Sequence, residues 1–227
     1  MWQGRPASIF EWVEPKGGPA ALTVNVPGPR GELRLALAPG DFLQANDGVN
    51  RRMVQTALDW LGDAGERRRL LDLFAGIGNF SVPLAAAGYD VVAVEGQPAM
   101  VEKLRHNADQ LGGPPSLEAR QANLHDDDQV RRLLEQDRAD VVVLDPPREG
   151  AEAICRELAR RPVARVLYIA CDPATLARDA AYLLQGGYRL TCAAMADMFV
   201  HTSHLESMLL FEYREPQSPR QGVASDG

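Results

Sequence analysis

Positive charge is what this sequence is short of: 24 Lys and Arg against 31 Asp and Glu leave a formal net charge of −7 at pH 7 over 227 residues. That balance argues against the broad basic domain or stripe by which nucleic-acid binders usually show themselves. Any basic face is left to the clusters Arg51-Arg52, Arg67-Arg68-Arg69, Arg131-Arg132 and Arg160-Arg161, and such arginines are more often solvated helix faces. Cysteine is scarce as well. Cys155, Cys171 and Cys192 are widely spaced, cannot all pair and show no CxxC spacing, which argues against a disulfide scaffold and against a thiolate metal site. No apolar run approaches membrane-spanning length, and the stretch holding Gly4, Pro6 and Glu11 has no signal-peptide core. A soluble, cytoplasmic protein with reduced thiols and no membrane partner is expected. What the chain has in quantity is apolar residues, 45% of the total, enough for the core of one α/β domain with a small addition.

The chain is organised around Leu70-Leu71-Asp72-Leu73-Phe74-Ala75-Gly76-Ile77-Gly78-Asn79-Phe80, an apolar run that ends in an acid, turns through two glycines and enters a helical pattern. Spaced glycines let a backbone turn tightly and approach a nucleotide-type cofactor without a Cβ in the way. A nicotinamide dinucleotide would ask for a third Gly or Ala where Ser81 stands. Asp72 would repel a diphosphate but hold the ammonium of a methionine moiety, so S-adenosyl-L-methionine is the better fit. Glu95 ends the next apolar run, Val91-Val92-Ala93-Val94, at the distance expected of an acid that binds ribose hydroxyls.

Around this stretch the pattern predicts an α/β fold with a doubly wound, mostly parallel sheet. β-like runs at Ser8–Val13, Ala21–Val26 and Glu32–Ala38, separated by Gly- and Pro-rich turns, read as a small antiparallel meander. The division expected is therefore 1–40 for the meander, 41–214 for the main domain and 215–227 for a disordered tail rich in Pro, Gln, Ser and Gly. Gln44 precedes a helix with Val49, Met53, Val54, Ala57, Leu58 and Leu61 at helical spacing. It reads equally as a ligand-binding amide or an ordinary turn residue.

Three further places carry chemistry. Asn123 follows the short strand Leu117–Gln121, where an amide can read a base. Asp145-Pro146-Pro147-Arg148 follows the buried run Val141-Val142-Val143-Leu144, at the carboxyl edge where open α/β sheets bind ligands. Cys171-Asp172-Pro173 follows Val166–Ala170 and enters another helix. Asp172 is placed to cap and Pro173 to fill the first turn, which sets the Cys171 sulfur beside a helix N-terminus, where the dipole favours thiolate. Cys155 and Cys192 read as packing residues. His201 and His204 lack partner ligands at metal spacing and read as loop residues, so no metal is expected. Glu206 opens the last strand, Ser207–Tyr213.

These motifs, Asp-Leu-Phe-x-Gly-x-Gly-Asn-Phe, Asp-Pro-Pro-Arg, Cys-Asp-Pro-Ala-Thr-Leu-Ala-Arg-Asp and His-Thr-x-His-Leu-Glu-Ser-Met, occur in one order from about Leu33 to Tyr213. Together they resemble the RNA (uracil-5-)-methyltransferases, and residues 201–208 look closest to the large-subunit ribosomal RNA branch. The resemblance implies that Gln44, Phe74, Asn79, Glu95, Asn123 and Asp145 contact S-adenosyl-L-methionine, that Cys171 is the nucleophile and that Glu206 is the base. It implies an RNA substrate, ribosomal before transfer RNA, and a monomer. Carbon 5 of uracil is a poor nucleophile until a thiolate adds at carbon 6, and the carbon 5 proton must leave before the thiolate can.

The sequence departs from the family pattern at Ala75, where Cys is common, at Ala170, where Ser is usual, and at Asp172, where Asn is usual. Asp172 puts a carboxylate beside the thiol, opposing its ionisation. Full-length relatives resemble a longer architecture with an N-terminal RNA-binding barrel and, in some, a four-cysteine iron–sulfur cluster; neither is read in these residues. Two rival functions stay open at this point: a methyltransferase that attacks an amino group directly, leaving Cys171 idle, and an inactive RNA-binding or assembly module.

Overall fold

The computed structural model describes residues 22–38, 46–65, 68–111, 117–197 and 205–214. The expected strand Ser8–Val13, Gln44, the segment with His201 and His204, and the tail from 215 onward lie outside the described residues.

The described chain opens on β1 (Leu22–Gly28) and β2 (Gly31–Leu37), an antiparallel pair in which Gly28 faces Gly31 across Pro29-Arg30. Helix α1 (Asp47–Leu61) follows, with the Asn46 side chain accepting from Val49 N at 3.1 Å as its cap. It buries Met53, Val54, Ala57 and Leu61, the stripe that the apolar spacing predicts. Strands and helices then alternate: β3 (Arg69–Leu73), α2 (Ser81–Ala86), β4 (Asp90–Glu95), α3 (Pro98–Asp109), β5 (Leu117–Gln121), α4 (Asp127–Asp137), β6 (Val141–Leu144), α5 (Glu152–Arg160), β7 (Arg165–Ala170) and α6 (Pro173–Gln185). The antiparallel strands β8 (Tyr188–Asp197) and β9 (Leu205–Tyr213) close the described chain.

The large sheet has the order β5-β4-β3-β6-β7-β9-β8, with β3 to β7 all parallel and β9 running antiparallel between β7 and β8. The chain winds outward in one direction from β3 to β5 and in the other from β6 onward, so a crevice opens at the carboxyl ends of β3 and β6. Both faces of the sheet are covered, which is why its central strands are continuous apolar runs. Leu70, Val91, Ala93, Val141, Val143, Leu167, Ile169, Met208 and Leu210 pack on one face with Met53, Val54 and Leu104 of the helices and Val26 and Leu35 of the hairpin. Leu71, Leu73, Val92, Val94, Val142, Leu144, Val166, Tyr168 and Phe211 pack on the other, with Val130, Ile154, Leu158 and Leu183. No helix among the described residues is long and apolar enough to cross a membrane.

Asn107 holds the hairpin in place. This residue of α3 is 1% exposed; its Oδ1 accepts from Ala36 N at 2.7 Å, while its Nδ2 donates to Ala36 O at 3.1 Å and to Ile77 O at 2.9 Å. One amide thus satisfies the outer edge of β2 and a carbonyl of the glycine turn. Asn107→Leu leaves those buried backbone groups unpaired, at about 1–3 kcal/mol per group before relaxation. A net loss of about 2–3 kcal/mol in urea denaturation is expected, with faster amide exchange at Ala36; exchange at Ala36 unchanged from wild type would contradict this role.

Candidate active site

Side-chain alternation carries past the apolar residues to the carboxyl edge of the sheet. Asp72 follows the parity of Leu70, Glu95 that of Ala93, Asp145 that of Val143, Cys171 that of Ile169, and Glu206 that of Met208. All five therefore stand on the face shared by α1, α3 and the hairpin. In the order of the strands they run Glu95, Asp72, Asp145, Cys171, Glu206, a row that crosses the crevice. The ladder between β7 and β9 ends where Ala170 pairs with Ser207, and Cys171 and Glu206 are the residues next to that last pair, one on each chain segment.

The glycine turn forms one end of this row. Phe74, Gly76 and Gly78 have φ of +67°, +56° and +99°, and Ala75 N donates to Val94 O at 3.1 Å, tying the turn to β4. At Gly78 a Cβ would stand 2.8 Å from both Leu104 Cδ1 and Val82 Cγ2, so only glycine lets α3 pack this close. At Gly76 a Cβ would meet nothing within 4 Å; the turn is open on that side. Glu95 accepts from Gly76 N at 3.0 Å through Oε2 and from Gln97 N at 2.9 Å through Oε1. These bonds aim its carboxylate over the turn and leave each oxygen one further lone pair.

Asn79 and Asn50 exchange a reciprocal pair of amide hydrogen bonds at 2.9 Å, which fastens α1 to the turn. Asn123 is exposed, and its Oδ1 accepts from His125 N at 3.0 Å. The His125 ring lies 6.0 Å from that of Phe74. The face of the turn is thus framed by Glu95, Phe74, Asn79 and Asn123.

Asp72 is the most buried acid of the row. Only 1% exposed, it takes a hydrogen bond from the Ser81 hydroxyl on Oδ2, while Oδ1 is buried with no partner. Burial pushes its carboxyl up to about 7, against the Ser81 hydrogen bond, and the charge of Glu95 adds to the rise. A buried, half-satisfied carboxylate beside an open glycine turn is built for a cation. This orphaned oxygen fits the ammonium of S-adenosyl-L-methionine; it does not fit a diphosphate.

At the other end, burial holds the Asp145 carboxyl well above the usual range, with Glu206 and Asp72 adding to it. Glu206 is itself raised by burial. Cys171 is half-buried at the mouth of α6, where Asp172 caps the helix by accepting from Ala174 N at 2.9 Å and Thr175 N at 3.0 Å, and Pro173 fills the first turn. That local geometry is as expected, yet the thiol is not acidified. Burial pushes it up, the Glu206 charge adds to the rise, and Arg148 opposes what Asp145 contributes in the same sense. Burial first, and then the acids from other strands, raise the thiol, and neither is contained in spacing along the chain.

Several supporting residues have no role assigned in the sequence, though Asp179 closes the motif that Cys171 opens. Asn50, Asn107, Tyr168 and Asp179 hold the site through long-range hydrogen bonds. Two of them were detectable in principle: Asn107 and Asp179 are polar residues on otherwise apolar helix faces, three residues after Leu104 and Leu176 respectively.

Comparison with known proteins adds relatives to this geometry. The protein named "23S rRNA (uracil(1939)-C(5))-methyltransferase RlmD" from Halomonas elongata is 54% identical over 230 residues, covering 100% of this chain and 47% of its own length. The protein of that name from Chromohalobacter salexigens is 49% identical over 220 residues, covering 97% of this chain and 45% of its own. The chain therefore spans about half the length of the curated relatives it matches. Among solved structures, the Pyrococcus abyssi tRNA (uracil-54, C5)-methyltransferase in complex with S-adenosyl-L-homocysteine superposes with a TM-score of 0.68 at 24% identity, over 83% of this chain and 44% of that one; this likeness shows the fold. The family described as tRNA (Uracil-5-)-methyltransferase matches residues 30–214, a span that takes in the glycine turn, both acid motifs and Cys171, and the chain belongs to that family.

Proposed function

We propose that this chain carries the cofactor-binding and catalytic residues of an S-adenosyl-L-methionine-dependent RNA methyltransferase acting on carbon 5 of a uridine, in ribosomal RNA, through a covalent bond to Cys171. The observation that carries this reading is the single row of Glu95, Asp72, Asp145, Cys171 and Glu206 on one sheet face. It has a cation-seeking acid at one end and a thiol and a carboxylate at the other. The names of relatives near 50% identity support ribosomal RNA as the substrate.

Asp72 would take the ammonium and Glu95 the ribose hydroxyls, with Gln44, Phe74, Asn79, Asn123 and Asp145 as the remaining contacts. When bound, this cofactor supplies an electrophilic methyl group. The chain's own part is to make carbon 5 reactive and then to release the product. After the Cys171 thiol has lost its proton to solvent, the thiolate Sγ bonds to carbon 6 of uracil, and the electron pair of the 5,6 double bond moves onto carbon 5 and the 4-carbonyl. Once carbon 5 is alkylated, its remaining proton passes to the Glu206 carboxylate. The 5,6 double bond reforms and the carbon–sulfur bond breaks, returning the thiolate. Covalent addition splits one difficult step into easier ones, and Glu206, beside the last β7–β9 pair as Cys171 is, is the carboxylate this reading gives the proton to.

The test is methyl transfer to unmodified ribosomal and transfer RNA with the product nucleoside identified by mass. 5-Methyluridine is the expected product. A base methylated on an exocyclic amine would replace this reading with direct attack, and no transfer at all, despite RNA binding, would replace it with a binding module.

For the cofactor, calorimetry is expected to detect S-adenosyl-L-methionine and not NAD. Glu95→Ala removes charge-assisted hydrogen bonds worth about 1.5–3 kcal/mol each, so its affinity should fall about 10- to 100-fold. Saturable NAD binding with no response to S-adenosyl-L-methionine would sink the cofactor assignment.

A further inference from the structure

Asp179 is a buried carboxylate that the proposed chemistry does not use. It is 0% exposed. Its Oδ2 accepts from Tyr168 Oη at 2.6 Å and from Ala151 N at 2.7 Å, and its Oδ1 accepts from Arg178 Nε at 2.8 Å. The same Arg178 donates through Nη2 to Glu149 O at 2.8 Å and pairs with Glu152 at 3.5 Å. Both residues lie on α6, about two turns after Cys171, and both grip the connection between β6 and α5.

That connection has little freedom at the grip. Gly150 N donates to Pro147 O at 2.9 Å, closing a turn. Gly150 has φ of +79°, and a Cβ on it would stand 2.5 Å from Asp179 Oδ2 and 2.7 Å from Arg178 Nη2. The backbone is held against the two side chains as closely as glycine allows. Asp145 and Arg148, which act on Cys171, lie on this connection, while Glu206 acts on it from β9. Asp145 is held independently at its strand end, where its N donates to Leu73 O at 3.4 Å. Arg148 lies next to Glu149, whose carbonyl Arg178 holds.

We propose that Arg178 and Asp179 are positioning residues, a clamp from α6 that fixes the Pro147–Gly150 turn, and with it Arg148, relative to the Cys171 end of the same helix. The catalytic meaning rests on Cys171 being the nucleophile; the effect on the thiol does not. Loosening the clamp loosens the turn that carries Arg148, while Asp145 keeps its strand-end hydrogen bond and Glu206 its place in β9, so the charge of Arg148 opposes the acids less. The planar fork of Arg178 matters because it reaches the carboxylate and the Glu149 carbonyl together, which the single ammonium of lysine does not reproduce.

The experiment measures iodoacetamide alkylation of Cys171 against pH, followed by mass spectrometry, on the chain alone without RNA or cofactor. In Arg178→Gln the midpoint should rise by about half a pH unit or more, so that the rate near neutral pH falls roughly threefold. Arg178→Lys, which keeps a charge beside Asp179 and leaves it the Tyr168 and Ala151 donors, should behave like Arg178→Gln and keep its fold by circular dichroism. A wild-type profile in both folded variants overturns the clamp. So does full rescue by Arg178→Lys, which would reduce Arg178 to a counter-charge, and so does loss of the fold in both, which would make the pair a general support. A wild-type chain that alkylates as described but transfers no methyl group would sink the proposed function and leave the clamp standing.

Discussion

Cys171→Ala is expected to bring methyl transfer below detection and to remove every covalent protein–RNA species, because no sulfur is left to add to carbon 6. Glu206→Gln should act at the other end of the same cycle. Glutamine keeps the size of the side chain and its place in β9 but does not accept the carbon 5 proton, so addition and alkylation proceed while release stalls. Turnover should fall by about 10²- to 10⁴-fold, the usual worth of a positioned general base. A methylated protein–RNA adduct should accumulate and survive denaturing electrophoresis. Normal methylation by Cys171→Ala would refute the covalent route. Normal turnover by Glu206→Gln would remove only the base, since the thiol and the carboxylate are separate assignments.

Asp72→Asn should produce the second large effect, and its sign is opposite in the free and the liganded protein. The Asp72 carboxyl lies near its ordinary value of 3.8 when the chain is unfolded and at about 7 when it is folded. The folded state therefore holds this proton more tightly. Its contribution is fully favourable below about pH 4 and is lost progressively as pH rises to about 7. Above that, carrying the buried charge costs on the order of 4 kcal/mol, from roughly three units at about 1.4 kcal/mol each.

Asparagine has no charge to bury, so the variant should unfold at a higher urea concentration than wild type near pH 8. It should also show a flatter dependence of stability on pH between about 4 and 7. Asp145, raised in the same direction by burial and by its acidic neighbours, leaves some slope of the same sign behind. Calorimetry should then show weaker S-adenosyl-L-methionine binding, because the neutral amide no longer attracts the ammonium. Parallel stability curves for the two proteins would show that Asp72 does not titrate in this range. The strain of an isolated buried acid is thus kept for a ligand that neutralises it, a common exchange of stability for function.

Much of this arrangement was readable from residue order alone. Strand and helix alternate along the chain, so Asp72, Glu95, Asp145 and Cys171 fall at the carboxyl ends of four successive apolar runs. A parallel sheet gathers those ends on one edge. The capping role of Asp172 and the helix that follows Pro173 are equally local, and both stand as the sequence predicts. What was not readable depends on distance through space. The Asn50–Asn79 pair joins residues from different elements, and neither partner has a neighbour in sequence that points to the other. The helix alone predicts an acidified Cys171 thiol, whereas burial, with Glu206 and Asp145 arriving from other strands, pushes it up. Glu206 itself carried no signal beyond opening a strand; only the family resemblance gave it a role, and the β7–β9 register gives it a neighbour.

That register has a consequence for how the gene tolerates change. The proposed nucleophile and the proposed base sit far apart in the coding sequence, but the strands that carry them are aligned by backbone hydrogen bonds between β7 and β9, not by the length of chain joining them. The number of codons between the two strands does not set that alignment. Deleting one codon inside β9 turns each following or preceding side chain to the opposite side of the sheet, exchanging Glu206 and Ser207 at the edge and setting Met208 and Leu209 against the wrong layer of helices. Within β9, insertions and deletions are therefore expected to be forbidden by register alone, whatever residue they add or remove.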